Sequence, residues 1–310
     1  MDYLERINTF TEDNLPDLDE VVMAALDLFA AHPVPSIDRA QFKRPLVVGS
    51  GNAALTGQIM FAGTDAVFAD ESTYLAKLDT IDSIDGVVLI SASGSKHAVG
   101  IAETARERGL PTLLLTNNAD APAKEVVGEE NTHVFPKNRE PYTYNTSTYF
   151  GLITSVTGEN PAAIKEYIET EVAPLVPDTL AAHEAFYLTV PDRFDTVRGM
   201  FVTKFDELFG PQLMNRVFTL EQTKHAKTVI PHETELFISF GDENTMFGTV
   251  ENRLRIPLPD NAGFGAIMMI GYYVIGQIQK QKPPLYKDRI GAYVQETSAA
   301  FGTNLSVIVE

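Results

Sequence analysis

From residue 45 to residue 135 the chain alternates short, almost wholly apolar runs with longer amphipathic ones. The runs "RPLVVGSG", "DAVFAD", "GVVLISAS", "PTLLLTN" and "THVFP" predict five buried strands. The stretches between them, "NAALTGQIMFAG", "STYLAKLDT" and "KHAVGIAETARERG", predict helices. In the last of these Val99, Ile101, Ala102 and Ala105 fall on one helical face. Strands this short and this apolar, separated by helices, predict a parallel sheet covered on both faces.

Upstream, "LPDLDEVVMAALDLFAAH" predicts one helix, which "HPVPS" breaks. Downstream, "NPAAIKEYIETEVAPLVP" predicts a helix closed by prolines, a natural domain boundary. The alternation then restarts more loosely. "AFYLTV", "TELFISFG" and "NRLRIPLP" predict strands, while "DRFDTVRGMFVTKFDELFG", "PQLMNRVFTLEQTKHA" and "GAIMMIGYYVIGQIQK" predict helices. The expected architecture is α/β: two tandem three-layer α/β/α domains with mainly parallel sheets. The expected boundaries are 1–39 for an N-terminal helical segment, 40–178 for the first domain and 179–310 for the second.

Composition narrows the functional classes. With 310 residues, 44% hydrophobic and 21% charged, the chain can bury two cores of ordinary size. No apolar run approaches the ~20 residues of a membrane span. The acidic N-terminus has no signal-peptide core and there are no cysteines, so a cytoplasmic protein is expected, without disulfide, thiolate or Cys–zinc chemistry. A net charge of −18 argues against nucleic acid or an anionic membrane as partner, since both require a basic face.

Two loops carry candidate chemistry in the first half. Gly49-x-Gly51-x-x-Ala54 lies between a strand and a helix, and Asp70 follows about twenty residues on, the pattern of a dinucleotide fingerprint. Against that reading stands the next strand end, where Ser91, Ser93, Gly94 and Ser95 precede a helix. The unsatisfied N–H groups of a helix start attract an anion, small hydroxyls add donors without bulk, and Lys96 or His97 adds positive charge. This is the chemistry of a phosphate cradle.

The stretch "LISASGSKHAVGIAETARERGLPTLLLTNN" resembles the phosphosugar-binding signature of the sugar isomerase (SIS) domain family. "GSGNAA" is similar to that family's first glycine-rich loop, and "YNTSTYFGLI" resembles the segment that closes the pocket. The resemblance implies substrate contacts from Gly49, Ser50, Gly51, Asn52, Ser91, Ser93, Gly94, Ser95, Lys96, Thr146 and Ser147. Tandem members of the family include phosphoglucose and phosphomannose isomerases and the isomerase half of glucosamine-6-phosphate synthase. Their second domain carries a Lys-x-x-Glu, a later Lys-His and a lysine beyond the last long helix. Here "TKFDELFG", "TKHAKTV" and "KPPLYKDRIG" supply these, so the resemblance implies Glu207, His225 and Lys287 as catalytic residues. His232 and Glu233 form a reserve pair.

The implied reaction interconverts glucose-6-phosphate or mannose-6-phosphate with fructose-6-phosphate. Glu207 would shuttle the proton through a cis-enediol, His225 would open the ring and Lys287 would stabilise the enediolate. No cofactor and no metal are expected, and a homodimer with the histidine supplied across its interface is. The other readings are a non-catalytic phosphosugar-binding regulator and an amino-sugar phosphate isomerase or deaminase. Two departures from the family stand out: Ser95-Lys96 follows the Ser-Gly step, and Ala226 replaces the glycine of Lys-His-Gly. The residues after Lys287 are expected to end in a strand.

Overall fold

The computed structural model describes residues 2–310. The chain forms two compact units, each threaded more than once: one holds His32–Lys137 and Thr148–Gly158, the other the residues up to Ala31 together with Asn138–Ser147 and Glu159–Glu310. This grouping differs from the boundaries expected at 40 and 178. The N-terminal helices and the helix from Pro161 join the second unit because Leu18–Ala31 packs on the helix Phe264–Gln281, and Tyr3–Thr9 and Pro161–Tyr167 pack on Leu18–Ala31.

In chain order, α1 (Tyr3–Thr9) and α2 (Leu18–Ala31) lead into β1 (Pro45–Gly49), α3 (Asn52–Met60), β2 (Val67–Ala69), α4 (Tyr74–Thr80) and β3 (Gly86–Ile90). Next come α5 (His97–Glu107), β4 (Thr112–Thr116), α6 (Lys124–Val127), β5 (Thr132–Val134), the short β6 (Glu140–Pro141) and α7 (Thr146–Thr157). The strands β1 to β5 form one sheet in the order β2-β1-β3-β4-β5, every pair parallel. Leu46, Val48, Val87, Leu89 and Leu114 build a core with Ile101, Ala102 and Ala105 of α5. On the other face α3 lies close enough that a Cβ at Gly57 would sit 2.7 Å from Val47.

The second unit continues with α8 (Pro161–Tyr167), β7 (Ala185–Val190), α9 (Arg198–Phe209), β8 (Met214–Thr219), the one-turn α10 (Leu220–Thr223), β9 (Glu235–Phe240) and β10 (Arg253–Ile256). It ends with α11 (Phe264–Gln281), α12 (Leu285–Phe301) and β11 (Ile308–Val309). Its sheet is parallel in the order β10-β9-β7-β8. One face carries Phe186 against Phe205 and Phe201 against both Phe240 and Tyr272, with α11 so close to α9 that Gly271 leaves no room for a Cβ. Among the described residues no helix is long and apolar enough to cross a membrane.

One expected element is corrected. "PQLMNRVFTLEQTKHA" is not a helix: Met214–Thr219 form the edge strand β8, registered along β7 from Ala185↔Met214 to Val190↔Thr219. Leu213, Val217 and Leu220 have helical spacing, but parallel pairing with a distant strand overrides it. The strand-like C-terminus does pair, antiparallel with β6, and in neither parallel sheet.

Candidate functional site

A cavity of about 250 Å³ opens at the carboxyl ends of β1, β3 and β4, where open parallel sheets bind ligands. Gly49 and Ser50 form one wall, and Ser91, Ser93, Ser95, Lys96 and His97 another. Asn117, at the end of β4, and Thr148, on α7, complete it and hydrogen-bond each other at 2.9 Å. The serine loop is folded by its own groups. Ser91 Oγ accepts the Gly94 N–H at 3.1 Å, the Ser93 and Ser95 hydroxyls lie 2.8 Å apart, and Asn118 donates to the Ser93 carbonyl.

Gly94 is required here. Its φ is +61°, and a Cβ would come within 2.4 Å of the Ala121 methyl. Lys96, the N-cap of α5, takes φ 52° and ψ −116°, a conformation suited to glycine. Gly51 adopts nearly the same angles, φ 54° and ψ −124°, at the N-cap of α3. The first half of the cavity is thus two strand-to-helix turns of one geometry, each leading into the N-terminus of a helix with its positive dipole end.

The structure separates the expected substrate contacts. Gly49, Ser50, Ser91, Ser93, Ser95 and Lys96 line the cavity, while Gly51, Asn52 and Gly94 shape the turns behind it. Thr146 and Ser147 do not line it. Their N–H groups and the Ser147 hydroxyl donate to the buried Glu140 carboxylate at 2.5 to 2.8 Å, and Thr148 and Tyr149 face the cavity instead. Burial pushes the Glu140 carboxyl up, opposed by these donors. No capping pattern in the sequence announces Glu140, which lies six residues before α7. Asp70 is equally committed: its Oδ1 accepts from the backbone and hydroxyls of both Ser72 and Thr73, which hold its carboxyl down at about 2. The acid of the dinucleotide pattern therefore serves its own turn.

In the other unit Glu207 lines a cavity of about 790 Å³ with Thr143, Tyr286, Arg289 and Tyr293. It pairs with Lys204 at 2.6 Å, as i,i+3 spacing permits. This pair is not on the solvent side of α9. Lys204 is fully buried, and its ammonium also donates to the carbonyls of Thr143 and Tyr144 at 2.9 and 3.0 Å. Thr143 has φ +74° and Asn145 φ +46°, so a strained turn is clamped onto the helix that carries Glu207.

Lys287 pairs with Asp17 at 2.8 Å and lines a smaller cavity of about 210 Å³. The two cavities share Leu208, Phe209, Leu285 and Tyr286 as lining residues, so Glu207 and Lys287 are brought into one neighbourhood. His225 is not brought there. It is exposed in the loop after α10, next to Ala226, whose φ of +58° is the left-handed conformation that suits the family's glycine. His232 and Glu233 are also exposed; the His232 ring meets the Thr234 hydroxyl at 3.2 Å. Sequence reasoning saw Lys204 only as the spacing partner of Glu207, and missed Thr148 and Glu140; the run of hydroxyls was the available signal for Thr148.

Two parallel-sheet units, the first with a hydroxyl-lined cavity at its strand ends, make up an α/β fold. Solved structures share it. The C-terminal domain of glucosamine-fructose-6-phosphate aminotransferase from Francisella tularensis superposes with a TM-score of 0.59 at 9% identity, covering 88% of this chain and 98% of that one. Tagatose-6-phosphate ketose/aldose isomerase from Escherichia coli gives 0.59 at 12%, covering 87% and 92%. Glucosamine-6-phosphate deaminase from Thermotoga maritima gives 0.57 at 12%, covering 91% and 96%. The sequence matches no protein-family model and no curated protein. At these identities the likeness is one of fold.

Proposed function

We propose that the chain binds a hexose phosphate by its phosphate group in the serine-lined cavity and interconverts its aldose and ketose forms. Support comes chiefly from that cavity: Ser91, Ser93 and Ser95, the start of α5, Ser50 and Asn117 converge as neutral donors on a space the size of a small anion and part of a sugar. The names of the solved relatives, two of which act on sugar phosphates by isomerisation or deamination, favour the same substrate class.

Moving a carbonyl between C1 and C2 requires one group that removes a proton from one carbon and returns it to the other. Glu207 is proposed for this role, with its carboxylate fixed by Lys204. Lys287 is proposed to stabilise the enediolate. His225, exposed in this chain, is proposed to reach the site of a second copy in a homodimer. Glucose-6-phosphate and mannose-6-phosphate are the proposed aldoses, fructose-6-phosphate the ketose, and the cytoplasm the proposed compartment.

A second reading has an observation of its own. His225 shares no cavity with Glu207 or Lys287 within the chain, as suits a regulator that binds a phosphosugar without turning it over. Fructose-6-phosphate with aldose products resolved, for wild type and Glu207→Gln, tests both. Turnover that falls ~10³-fold in the variant supports the isomerase, a loss in the middle of the range for a general acid–base group. Turnover that survives moves the base elsewhere. Thermal stabilisation by the sugar phosphate with no turnover supports the regulator.

A further inference from the structure

The turn after β6 is held from several directions at once. Thr143 at φ +74° and Asn145 at φ +46° keep angles that persist only where the surroundings over-determine them. Lys204 of α9 donates to the Thr143 and Tyr144 carbonyls. From α12 the Tyr286 hydroxyl donates to the Tyr142 carbonyl, and its ring lies 5.2 Å from that of Tyr144. The Tyr142 N–H donates to the Val307 carbonyl at 2.8 Å, one residue before β11.

The last hold runs through the Tyr144 side chain, which is fully buried. Its hydroxyl accepts from Gln279 Nε2 at 2.8 Å and donates to the Pro16 carbonyl at 3.3 Å. Gln279 Oε1 in turn accepts the Leu18 N–H at 2.9 Å. The neighbours of Asp17 are thereby stapled, Pro16 to the turn and Leu18 to α11, and the Asp17 carboxylate between them meets Lys287 at 2.8 Å. One buried tyrosine thus reaches both groups proposed for the proton chemistry. Its carbonyl holds Lys204, the partner of Glu207; its hydroxyl holds the segment that carries the partner of Lys287. Glu207 and Lys287 stand on different helices, α9 and α12, so no local stretch of chain sets their spacing.

We infer that Tyr144 is a positioning residue for the isomerase: it touches no substrate, and it sets Glu207 and Lys287 relative to each other by way of Lys204 and Asp17. The inference rests on the reaction proposed above. In an enediolate the charge develops at one atom while the proton moves at another. A rate that depends on both groups therefore falls steeply when their spacing drifts. A tyrosine that merely filled the core would affect stability and not turnover.

Turnover of fructose-6-phosphate by the full chain, in single and paired variants, tests it. Tyr144→Phe keeps the ring and the carbonyl and removes only the hydroxyl. It is expected to lower kcat ~10-fold or more, as a small misplacement of a reacting group does, with KM unchanged because no contact to the sugar phosphate is removed. Asp17→Asn, at a half-buried site, is expected to give a loss of the same size, and it decides the matter should the tyrosine variant not fold. Both changes act on Lys287 through one chain of contacts, so the double variant is expected to lose no more than the greater single. A wild type without turnover overturns the reaction and this inference together. Wild-type turnover that Tyr144→Phe or Asp17→Asn leaves intact overturns the positioning alone. So do losses that multiply in the double variant, or a raised KM at unchanged kcat.

Discussion

Around Ser91–Ser95 the polar groups are hydroxyls and backbone N–H groups gathered from strand ends of one sheet. Around Glu207 they are full charges, and the decisive one, Lys204, has no exposed surface at all. Neutral donors fixed by turn geometry suit an anion that arrives from water and must leave again. A carboxylate that handles protons needs a constant orientation, which an ammonium anchored to two backbone carbonyls provides. One site is built from backbone shape and the other from buried charge, so different substitutions should break them.

The largest effect is expected in the charge-built site. Lys204→Met removes the donor shared by Thr143, Tyr144 and Glu207 and should cost about 3–5 kcal/mol in urea unfolding, as breaking a buried ion pair does. Inorganic phosphate, proposed to dock on the serine loop, should still raise the melting temperature of that variant at temperatures where it remains folded. A Lys204→Met protein as stable as wild type would mean that the clamp contributes little and that the contrast between the sites is one of appearance.

That contrast also explains what the sequence disclosed. The serine cavity was legible because strand, turn and helix follow one another within some thirty residues, and Ser91, Ser93, Gly94 and Ser95 carry their chemistry locally. Where a partner outside the local motif decides, the reading slipped. Thr146 and Ser147 were assigned to the cavity, yet Glu140 claims them and turns Thr148 inward, one residue being about 100° on a helix. The segment holding β8 looked helical because Leu213, Val217 and Leu220 recur at helical spacing, and only pairing with β7 makes it a strand. The Lys204–Glu207 pair was visible as a spacing, but its burial depends on the turn at Thr143, sixty residues away in sequence.

A second buried charge sharpens the comparison. Asp19 on α2 faces α11 where Gly276 has no room for a Cβ; Gln277 donates to it at 2.7 Å and Lys280 stands 3.7 Å away. Burial, with Asp17 and Glu20 nearby, outweighs Lys280 and pushes its carboxyl up to about 6. The folded state therefore binds this proton more tightly than the unfolded chain. Its stabilising contribution is complete below the unfolded value near 4 and is lost as pH rises through about 6. Asp19→Asn should then be more stable than wild type above pH 6, by up to about 3 kcal/mol, with the advantage shrinking toward pH 4. Urea midpoints across that range check it. An advantage that does not vary with pH would assign the effect to packing.

The smallest effect falls where the two turns of the serine cavity differ. Gly51 and Lys96 hold nearly the same angles at the starts of α3 and α5, but only Lys96 bears a side chain there. Lys96→Gly should relieve about 1 kcal/mol of backbone strain and raise the melting temperature slightly. If the lysine is kept in that conformation for its charge at the cavity rim, the same change should weaken phosphate binding about threefold, the scale of an exposed ion pair. A variant that gains stability and loses affinity identifies strain held for binding. One that gains stability at unchanged affinity makes Lys96 incidental, and leaves the anion to the neutral donors alone, the sharper form of the difference between this site and the one at Glu207.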